Sequence, residues 1–280
     1  MNERSNMISI IVPCYNYGHY VVEMLNSVVE QTYTNWECII INDGSTDNSK
    51  QIIENYIKDD KRFTFINSEN AGVSVARNMA IAQAKGKYIF PLDADNKLYP
   101  DCLLKCITVF EKEPATKLVH TEAQLFGDEN RLWQLPSYDY KTMLHYNMVD
   151  NSCLFLKEDF NRVGGYRINM VNGLEDWDFF IALLAPYSND QVVKINEPLY
   201  YYRVDKRSRR STLENTHQFD LMLDNIIYNN YSIYQKYYPN IFERIQKYDY
   251  YNTIMNKPSI KFIVQLHNKL HKLKQYFRKK

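Results

Sequence analysis

Short apolar runs alternate with amphipathic stretches over the N-terminal part of the chain. Each run is brief and nearly continuous, which is typical of a strand buried on both faces of a parallel sheet. Between the runs, apolar residues recur at helical spacing, as at Val21, Leu25 and Val28. The pattern predicts strands at Ile8–Val12, Trp36–Ile41, Phe63–Ile66 and Tyr88–Leu92. Strands that alternate with single helices indicate parallel β-α-β units, with helices on both faces of the sheet.

The pattern loosens after residue 112 and predicts a second half of different construction. The strand candidates in this half are Leu118–His120, Ser152–Leu156, Val192–Ile195 and Leu199–Val204. We therefore expect an α/β domain over residues 1–212, divided into halves at about 7–112 and 113–212. A helical C-terminal extension is expected over residues 213–280.

Polar loops follow all of the first predicted strands. Their sequences are Pro13-Cys14-Tyr15-Asn16, Asp43-Gly44-Ser45, Asn70-Ala71-Gly72 and Asp93-Ala94-Asp95. Ligands of parallel sheets bind beyond the carboxyl ends of the strands. One such loop is ordinary turn chemistry, whereas several loops that converge on one edge indicate a binding site.

The carboxylates of Asp93 and Asp95 stand on either side of Ala94 at the end of the last of these strands. Like charges at this spacing face either open water or a cation between them. Mg²⁺ and Mn²⁺ prefer oxygen ligands and complete their shells with phosphates and waters. The alternative is a solvated turn, but the neighbouring polar loops favour a metal site.

A second acidic cluster, Glu175-Asp176-Trp177-Asp178, begins a predicted helix. Acidic residues in a first helical turn are stabilised by the helix dipole, and Glu175 and Asp178 need no other reason. A carboxylate here is also what proton abstraction in a transfer reaction requires. Trp177 either stacks on a sugar face or packs in the core, and packing is favoured.

Composition and missing motifs narrow the classes of function. The net charge of +1 gives no basic field for nucleic acid. Neither G-x-x-x-x-G-K-[ST] nor G-x-G-x-x-G occurs, which disfavours a P-loop kinase and a dinucleotide enzyme. The five cysteines form no C-x-x-C pair and are typical of free thiols in a reducing cytosol. No apolar signal segment or membrane-spanning run is found, so a cytoplasmic protein is expected.

The ordered motifs resemble those of the family 2 glycosyltransferases of GT-A fold over about residues 7–210. They lie within residues 8–49, 70–96 and 164–180. The resemblance implies a GT-A (Rossmann-like), mostly parallel central sheet flanked by helices, with a nucleotide-binding half followed by an acceptor half. It also implies inverting sugar transfer from a nucleotide-sugar donor in bacterial surface-polysaccharide synthesis.

The resemblance further implies a donor pocket built from residues at and after the strand ends. These residues are Pro13, Tyr15, Asn16, Asp43, Asn70, Gly72 and Arg77. In that family the first three line the nucleotide pocket, and the Asp of the D-G-S turn binds the base. The last three approach base, ribose or phosphate.

The acidic motifs take the reacting roles in the same family. The segment Asp93-Ala94-Asp95 would meet the ribose and the Mn²⁺ or Mg²⁺ ion on the diphosphate, the metal falling mainly to Asp95. Asp176 would be the catalytic base, with Glu175 as the runner-up. Many relatives carry a metal-binding His near the position of Asp205, which is therefore either a third metal ligand or a surface charge. The basic loop at 206–210 is either a lid over the diphosphate or a solvated loop.

The last residues of the chain form a basic amphipathic pattern. Apolar residues recur at spacings of three and four through 260–280, and Lys or Arg fill many of the other positions. We expect this helix to lie on an anionic membrane surface, which would place the protein peripherally on the inner face of the plasma membrane. A glycan or lipid-linked glycan acceptor is compatible with that address, and a helix packed on the body is the alternative.

Two other functions remain open on the sequence. A nucleotidyltransferase would need a Gly-rich basic loop where PCYNYGHY stands. A degenerate, non-catalytic protein would bind sugar nucleotides without turnover, and the missing His leaves room for it. Metal-dependent release of a nucleoside diphosphate separates binding from transfer, and UDP is favoured over GDP or dTDP only by the resemblance.

Overall fold

Strand β1 (Ile8–Cys14) occupies the middle of a parallel group of strands and is buried along its whole length. It pairs in parallel with β2 (Trp36–Asp43) on one side and with β4 (Tyr88–Pro91) on the other. Strand β3 (Phe63–Ser68) pairs in parallel with the far side of β2. The computed structural model describes residues 6–205 and 217–240, and it confirms the four predicted strands of the first half.

Helices connect these strands, as the alternating pattern predicts. They are α1 (Val21–Val29), α2 (Ser49–Ile57) and α3 (Val73–Gln83), and α4 (Cys102–Lys112) follows β4. The apolar stripe of α1, with Met24, Leu25 and Val28, is fully buried against the sheet core. Burial of such stripes on a parallel sheet is the main source of stability in this architecture.

The second half makes the nine-stranded sheet mixed rather than mostly parallel. The strands added are β5 (Lys97–Leu98), β6 (Leu118–Gly127), β7 (Arg131–Trp133), β8 (Leu154–Leu156) and β9 (Val192–Val204). The strand order is β3-β2-β1-β4-β8-β6-β9-β5, with β7 paired to β6. Strand β8 runs antiparallel to both of its neighbours, so it reverses the sheet direction where the first half meets the second. The α/β prediction is confirmed, and its parallel description applies to β1–β4 and to the pair of β6 and β9.

One long strand replaces two predicted short ones. Strand β9 runs through Pro198 and pairs in parallel with β6, and the register shifts on either side of Glu122. Proline has no backbone N–H to donate, so it is tolerated at such an irregularity in a strand. The interruption in the apolar pattern therefore marks a local bulge within a continuous strand.

Five further α-helices follow α4 in the residues that the structure describes. They are α5 (Tyr140–Met143), α6 (Lys157–Val163), α7 (Glu175–Leu184), α8 (His217–Asn229) and α9 (Tyr231–Tyr237). The chain divides into two compact units between Asn230 and Tyr231, so α8 belongs to the first unit. The functional division at residue 212 stays a prediction. The basic loop at 206–210 and the membrane-binding helix at 260–280 lie outside the described residues.

Membrane crossing has no candidate in the part of the chain that the structure describes. None of the helices there combines the length and the apolar character that a span requires.

Asp178 of α7 holds the end of helix α8 to the rest of the first unit. Its carboxylate is fully buried and pairs with Arg167 at 2.9 Å. It also accepts hydrogen bonds from Asn229 Nδ2 at 3.1 Å and Asn230 Nδ2 at 2.9 Å. The third acid of the Glu-Asp-Trp-Asp cluster is therefore a structural group.

We expect Asp178→Ala to lower the free energy of unfolding by about 3 kcal/mol, because buried charged hydrogen bonds are lost together. Urea denaturation followed by circular dichroism measures this change. Asp190→Ala, at an exposed aspartate, is the control and should change the free energy of unfolding by less than about 0.5 kcal/mol. Equal effects of the two substitutions would contradict the anchoring role of Asp178.

Candidate active site

The carboxyl ends of β1, β2 and β3 lie side by side at one edge of the sheet. Cys14 is aligned with Asn42, and Asp43 is aligned with Ser68. The polar loops predicted from the sequence therefore emerge from the same edge. Pro13 is buried within β1, whereas Tyr15 in the following loop is 45% exposed.

Asn16 fastens the loop after β1 to the loop after β2. Its backbone is left-handed, with φ of 59°, a conformation that Asn tolerates better than most residues. Its Oδ1 accepts the N–H of Thr46 at 2.7 Å, and its own N–H donates to Ser45 Oγ at 2.9 Å. Asn16 thus shapes the mouth of the site, and the nucleotide contact implied for it stays a prediction.

Asp43 fastens the loop after β2 to the start of helix α3. Its Oδ1 accepts the N–H of Ala71 at 2.8 Å, and its Oδ2 accepts that of Gly72 at 3.0 Å. Asn70 Nδ2 donates to the carbonyl of Asp43 at 3.0 Å. Gly72 has φ of 92°, a backbone conformation that favours glycine. A Cβ added at this position would meet no atom within 4 Å. Buried Asp43 therefore caps α3 from another strand, and the space beside exposed Gly72 is open.

Arg77 of α3 connects the two acidic motifs. Its side chain is 4% exposed, and its guanidinium donates to Asp93 Oδ1 at 2.8 Å and to Glu175 Oε1 at 2.7 Å. Burial opposes the charge of Arg77, but the two carboxylates outweigh it and raise the pKa of the guanidinium. The resemblance implies that Arg77 contacts the base, ribose or phosphate of the donor, and that contact stays a prediction. In the structure, the side chain is already bonded to the two acids.

Asp95 stands in a more strongly negative environment than any other residue of the Asp-Ala-Asp turn. Burial, together with the charges of Asp93 and Asp205, raises the pKa of Asp95 to about 7, although Arg203 opposes the shift. Ala94 between the two acids is fully buried in the core and holds the turn in place. A divalent cation would relieve the repulsion that this arrangement maintains.

Arg203 near the end of β9 fixes the backbone of the same turn. Its Nε donates to the carbonyl of Asp95 at 3.0 Å, and its N–H donates to Asn96 Oδ1 at 2.9 Å. The guanidinium lies over the rings of Tyr20 and Phe126, at 4.0 and 4.2 Å from their centroids. The position of Asp95 therefore depends on a strand more than a hundred residues later in the chain.

The Glu175-Asp176 pair sits at the first turn of α7. Glu175 is ion-paired to Arg77, whereas Asp176 Oδ2 accepts a hydrogen bond from Asn147 Nδ2 at 3.1 Å. Burial, with the charges of Glu175 and Asp150 close by, raises the pKa of Asp176 to about 7, and Arg77 opposes the shift. Trp177 is buried and donates its Nε1–H to the carbonyl of Met143 at 2.7 Å, so the packing interpretation is confirmed.

Sequence reasoning missed Asn147, Arg203 and Tyr17. Tyr17 lies close enough to Asp95 and Asp93 for their charges, after burial, to raise the pKa of its hydroxyl. Tyr17 belongs to the same polar loop as Tyr15. The sequence therefore indicated a tyrosine near the acids but selected Tyr15 rather than Tyr17. Asn147 and Arg203 carried no such signal, because both reach the site from the second half of the sheet.

The acids of the site fit a divalent cation that shares its ligands with a substrate. Within residues 6–205 and 217–240, no three His, Cys, Asp or Glu side chains are grouped so that they could hold a metal ion by themselves. Mg²⁺-type sites commonly use one or two carboxylates and substrate phosphates. Asp95 and Asp93 match that donor set, and Asp205 is near enough to influence Asp95 electrically.

The chain is similar in sequence to named bacterial enzymes. The chain is 28% identical over 204 residues to chondroitin synthase of Escherichia coli, which covers 71% of this chain and 30% of that protein. The chain therefore spans about a third of that relative. It is 28% identical over 206 residues to "Putative teichuronic acid biosynthesis glycosyltransferase TuaG" of Bacillus subtilis (strain 168), covering 72% of this chain and 81% of that one.

A solved structure gives the same fold. The crystal structure of S. aureus TarS 1-349 in complex with UDP-GlcNAc superposes with a TM-score of 0.64 at 17% identity, covering 82% of this chain and 74% of that chain. A family model described as Glycosyl transferase family 2 matches residues 9–177. This match runs from β1 to the turn that carries Glu175 and Asp176 and covers more than half of the chain, so the protein belongs to glycosyl transferase family 2.

Proposed function

We propose that this protein is an inverting glycosyltransferase that moves a sugar from a nucleotide-sugar donor to a hydroxyl group of a glycan or lipid-linked acceptor. The observation that carries the proposal is the Arg77 bridge, which sets the Asp93-Ala94-Asp95 turn beside the Glu175-Asp176 pair. A leaving-group site and a base are the two parts that direct displacement at a sugar requires. The polysaccharide relatives support a role in cell-surface polysaccharide synthesis.

Asp176 is the proposed general base. Its pKa near 7 suits proton transfer at neutral pH, because such a group is both ionised in part and basic enough to accept a proton. Asp176 takes the proton of the acceptor hydroxyl while that oxygen bonds to the anomeric carbon. The bond from that carbon to the donor phosphate oxygen breaks, and a nucleoside diphosphate departs on the opposite face.

The donor is proposed to lie along the polar strand-end loops. Asp43, Asn70 and the open space beside Gly72 would receive the base and ribose, and Tyr15 is exposed for stacking on a ring. Asp95, with Asp93, would hold a Mn²⁺ or Mg²⁺ ion, which when bound stabilises the charge on the departing diphosphate. UDP is the proposed nucleotide, in keeping with the UDP-GlcNAc bound by the TarS neighbour.

Isothermal titration of UDP into the purified full chain tests the donor site. We expect binding at least tenfold tighter with Mn²⁺ than with EDTA, because both acids otherwise repel the diphosphate. Asp43→Ala should weaken binding by about tenfold, the value of one lost hydrogen bond to a charged group. Equal affinity with Mn²⁺ and EDTA would contradict the metal site, and no affinity for UDP, GDP or dTDP would contradict the donor site.

Turnover distinguishes transfer from binding alone. The metal-binding His of many relatives is missing near Asp205, which leaves room for the second candidate, a protein that binds sugar nucleotides without reaction. A coupled assay for nucleoside diphosphate release, run with UDP-sugars and a panel of glycoside acceptors, separates the two. Acceptor-dependent release supports transfer, whereas tight binding of UDP with no release from any pair supports the second candidate.

A further inference from the structure

We propose that Arg77 is a positioning residue that holds Glu175 in an ion pair, out of the reaction, and sets the base strength of Asp176. The inference rests on the proposed sugar transfer and deepens it. Of the two candidate bases in the Glu-Asp pair, it makes Asp176 the carboxylate that reacts and Glu175 the carboxylate that supports it. It also gives Arg77 a role other than contact with the donor.

The contacts of Arg77 tie its guanidinium to both acidic motifs. Both terminal nitrogens are committed to carboxylates, and its Nε–H has no hydrogen-bond partner in the structure. The guanidinium carbon lies 5.3 Å from the centroid of the Tyr166 ring. A buried cation with acids on one side and an aromatic ring on another is held by its surroundings.

The hydrogen bonds that attach helix α3 to its neighbours fix the position of the Arg77 guanidinium. Asn78, the next residue, donates from Nδ2 to the carbonyl of Tyr166 at 2.7 Å and accepts the N–H of Tyr166 at 2.9 Å. This paired contact binds α3 to the segment that precedes α7. Arg77 therefore meets Glu175 at a fixed separation, and a planar guanidinium suits two carboxylates better than an ammonium does.

Glu175 and Asp176 differ in their contacts, because Arg77 reaches only Glu175 with an ion pair. Glu175 Oε1 is held by Arg77 Nη1 in a direct ion pair of 2.7 Å. Asp176 has no such ion pair among the described residues; Asn147 supplies a side-chain hydrogen bond at 3.1 Å. The carboxylate free to take a proton is consequently Asp176.

The charges that face Asp176 come from several elements. Glu175 on α7 and Asp150 before β8 raise the pKa of Asp176, and Arg77 on α3 lowers it. Tyr166 and Cys153 also lie near Asp176, but burial raises the pKa of both side chains, so they stay neutral at working pH. Arg77 is thus the positive group that offsets two negative ones, and removing it should make Asp176 harder to ionise.

The pH dependence of kcat in Arg77 and Glu175 variants tests the inference. Arg77→Met should move the acid limb of the kcat profile up by about one pH unit, since a positive charge is lost. Glu175→Gln should move the limb down by a similar amount, since a negative charge is lost. Arg77→Lys should keep the limb within about 0.3 units of wild type while lowering kcat, since charge is kept and the two-acid geometry is not.

Opposite displacements of the limb in Arg77→Met and Glu175→Gln would support the proposal. Limbs that stay at the wild-type pH while kcat falls would overturn it, because a purely structural role lowers the rate without changing the base. A donor KM raised tenfold or more in Arg77→Lys at unchanged kcat would overturn it in favour of donor contact. If Arg77→Met does not fold, Glu175→Gln and Arg77→Lys carry the same test. Wild-type protein without any nucleoside diphosphate release would instead refute the proposed function.

Discussion

Asp176→Asn is expected to lower kcat by about a thousandfold, within the range that general base catalysis supplies. The substitution keeps the size of the side chain and its hydrogen bond with Asn147, whose amide lies 3.1 Å from Asp176 Oδ2. It removes only the ability to accept a proton. Affinity for UDP with Mn²⁺ should stay within about threefold of wild type, because the donor loops belong to other strands. Initial rates of nucleoside diphosphate release and a UDP titration measure the two quantities.

Glu175→Gln is the matched comparison, since it neutralises the adjacent carboxylate in the same helical turn. We expect its kcat at its own optimum pH to fall by no more than about tenfold, because Glu175 supports the base without taking the proton. The reverse order of effects, with Glu175→Gln inactive and Asp176→Asn active, would assign the base to Glu175. Comparable losses in both variants would show that the pair acts as a unit.

The acid limb of wild-type kcat should lie near pH 7, in line with the raised pKa of Asp176. Below that pH the carboxyl is protonated and cannot accept the hydroxyl proton, so activity rises with pH and levels off about one unit higher. An ordinary surface aspartate would place the limb near pH 4. The residual activity of Asp176→Asn should lack the limb altogether.

The first half of the fold was predictable because each of its strands is short, apolar and bounded by turns. Burial on both faces gives a continuous apolar run, as in Ile8–Cys14, and its short length and bounding turns distinguish it from a buried helix. The convergence of the polar loops followed from the rule for the carboxyl ends of parallel strands. Local pattern and global topology agree in this half.

The second half was less predictable because its strands are defined by their partners. Strand β6 continues to Gly127, seven residues beyond the predicted end at His120, and β9 passes through Pro198. These lengths are set by the parallel pairing of β6 with β9, which joins segments about seventy residues apart. Antiparallel β8 between β4 and β6 is likewise a tertiary feature, with no turn signal beside it in sequence.

In the site, too, the residue types could be predicted from the sequence, but the contacts between distant residues could not. Residue types and spacing identified both acidic motifs and the polar loops. The bridge from Arg77 to Glu175 joins positions 98 apart, and the helical pattern of α3 gives no sign of it. Asp43 also has a structural task, capping α3, that a base-binding assignment alone does not anticipate. The sequence indicated the candidate reactive groups. Which charged groups form ion pairs, such as Arg77 with Glu175, was visible only in the structure.

Asp95→Ala is expected to remove the dependence of UDP affinity on Mn²⁺ and to lower transfer by at least a thousandfold. Asp93 is already ion-paired to Arg77, whereas Asp95 has no ion pair among the described residues, and burial together with the charges of Asp93 and Asp205 raises its pKa. A cation is the group that such a carboxylate lacks. Titrations of UDP with Mn²⁺ and with EDTA, together with initial rates, give both quantities.

The backbone anchors of the turn make this loss specific to the carboxylate. Arg203 binds the carbonyl of Asp95 and the side chain of Asn96, and neither bond involves the carboxylate that Asp95→Ala removes. The variant should therefore keep its fold, and its midpoint of urea unfolding should match that of wild type. Asp60→Ala, before the start of β3 at the opposite edge of the sheet, is the control and should leave the Mn²⁺ effect intact. An Asp95→Ala protein that still binds UDP more tightly with Mn²⁺ would move the cation to other ligands and separate the acidic turn from the leaving group.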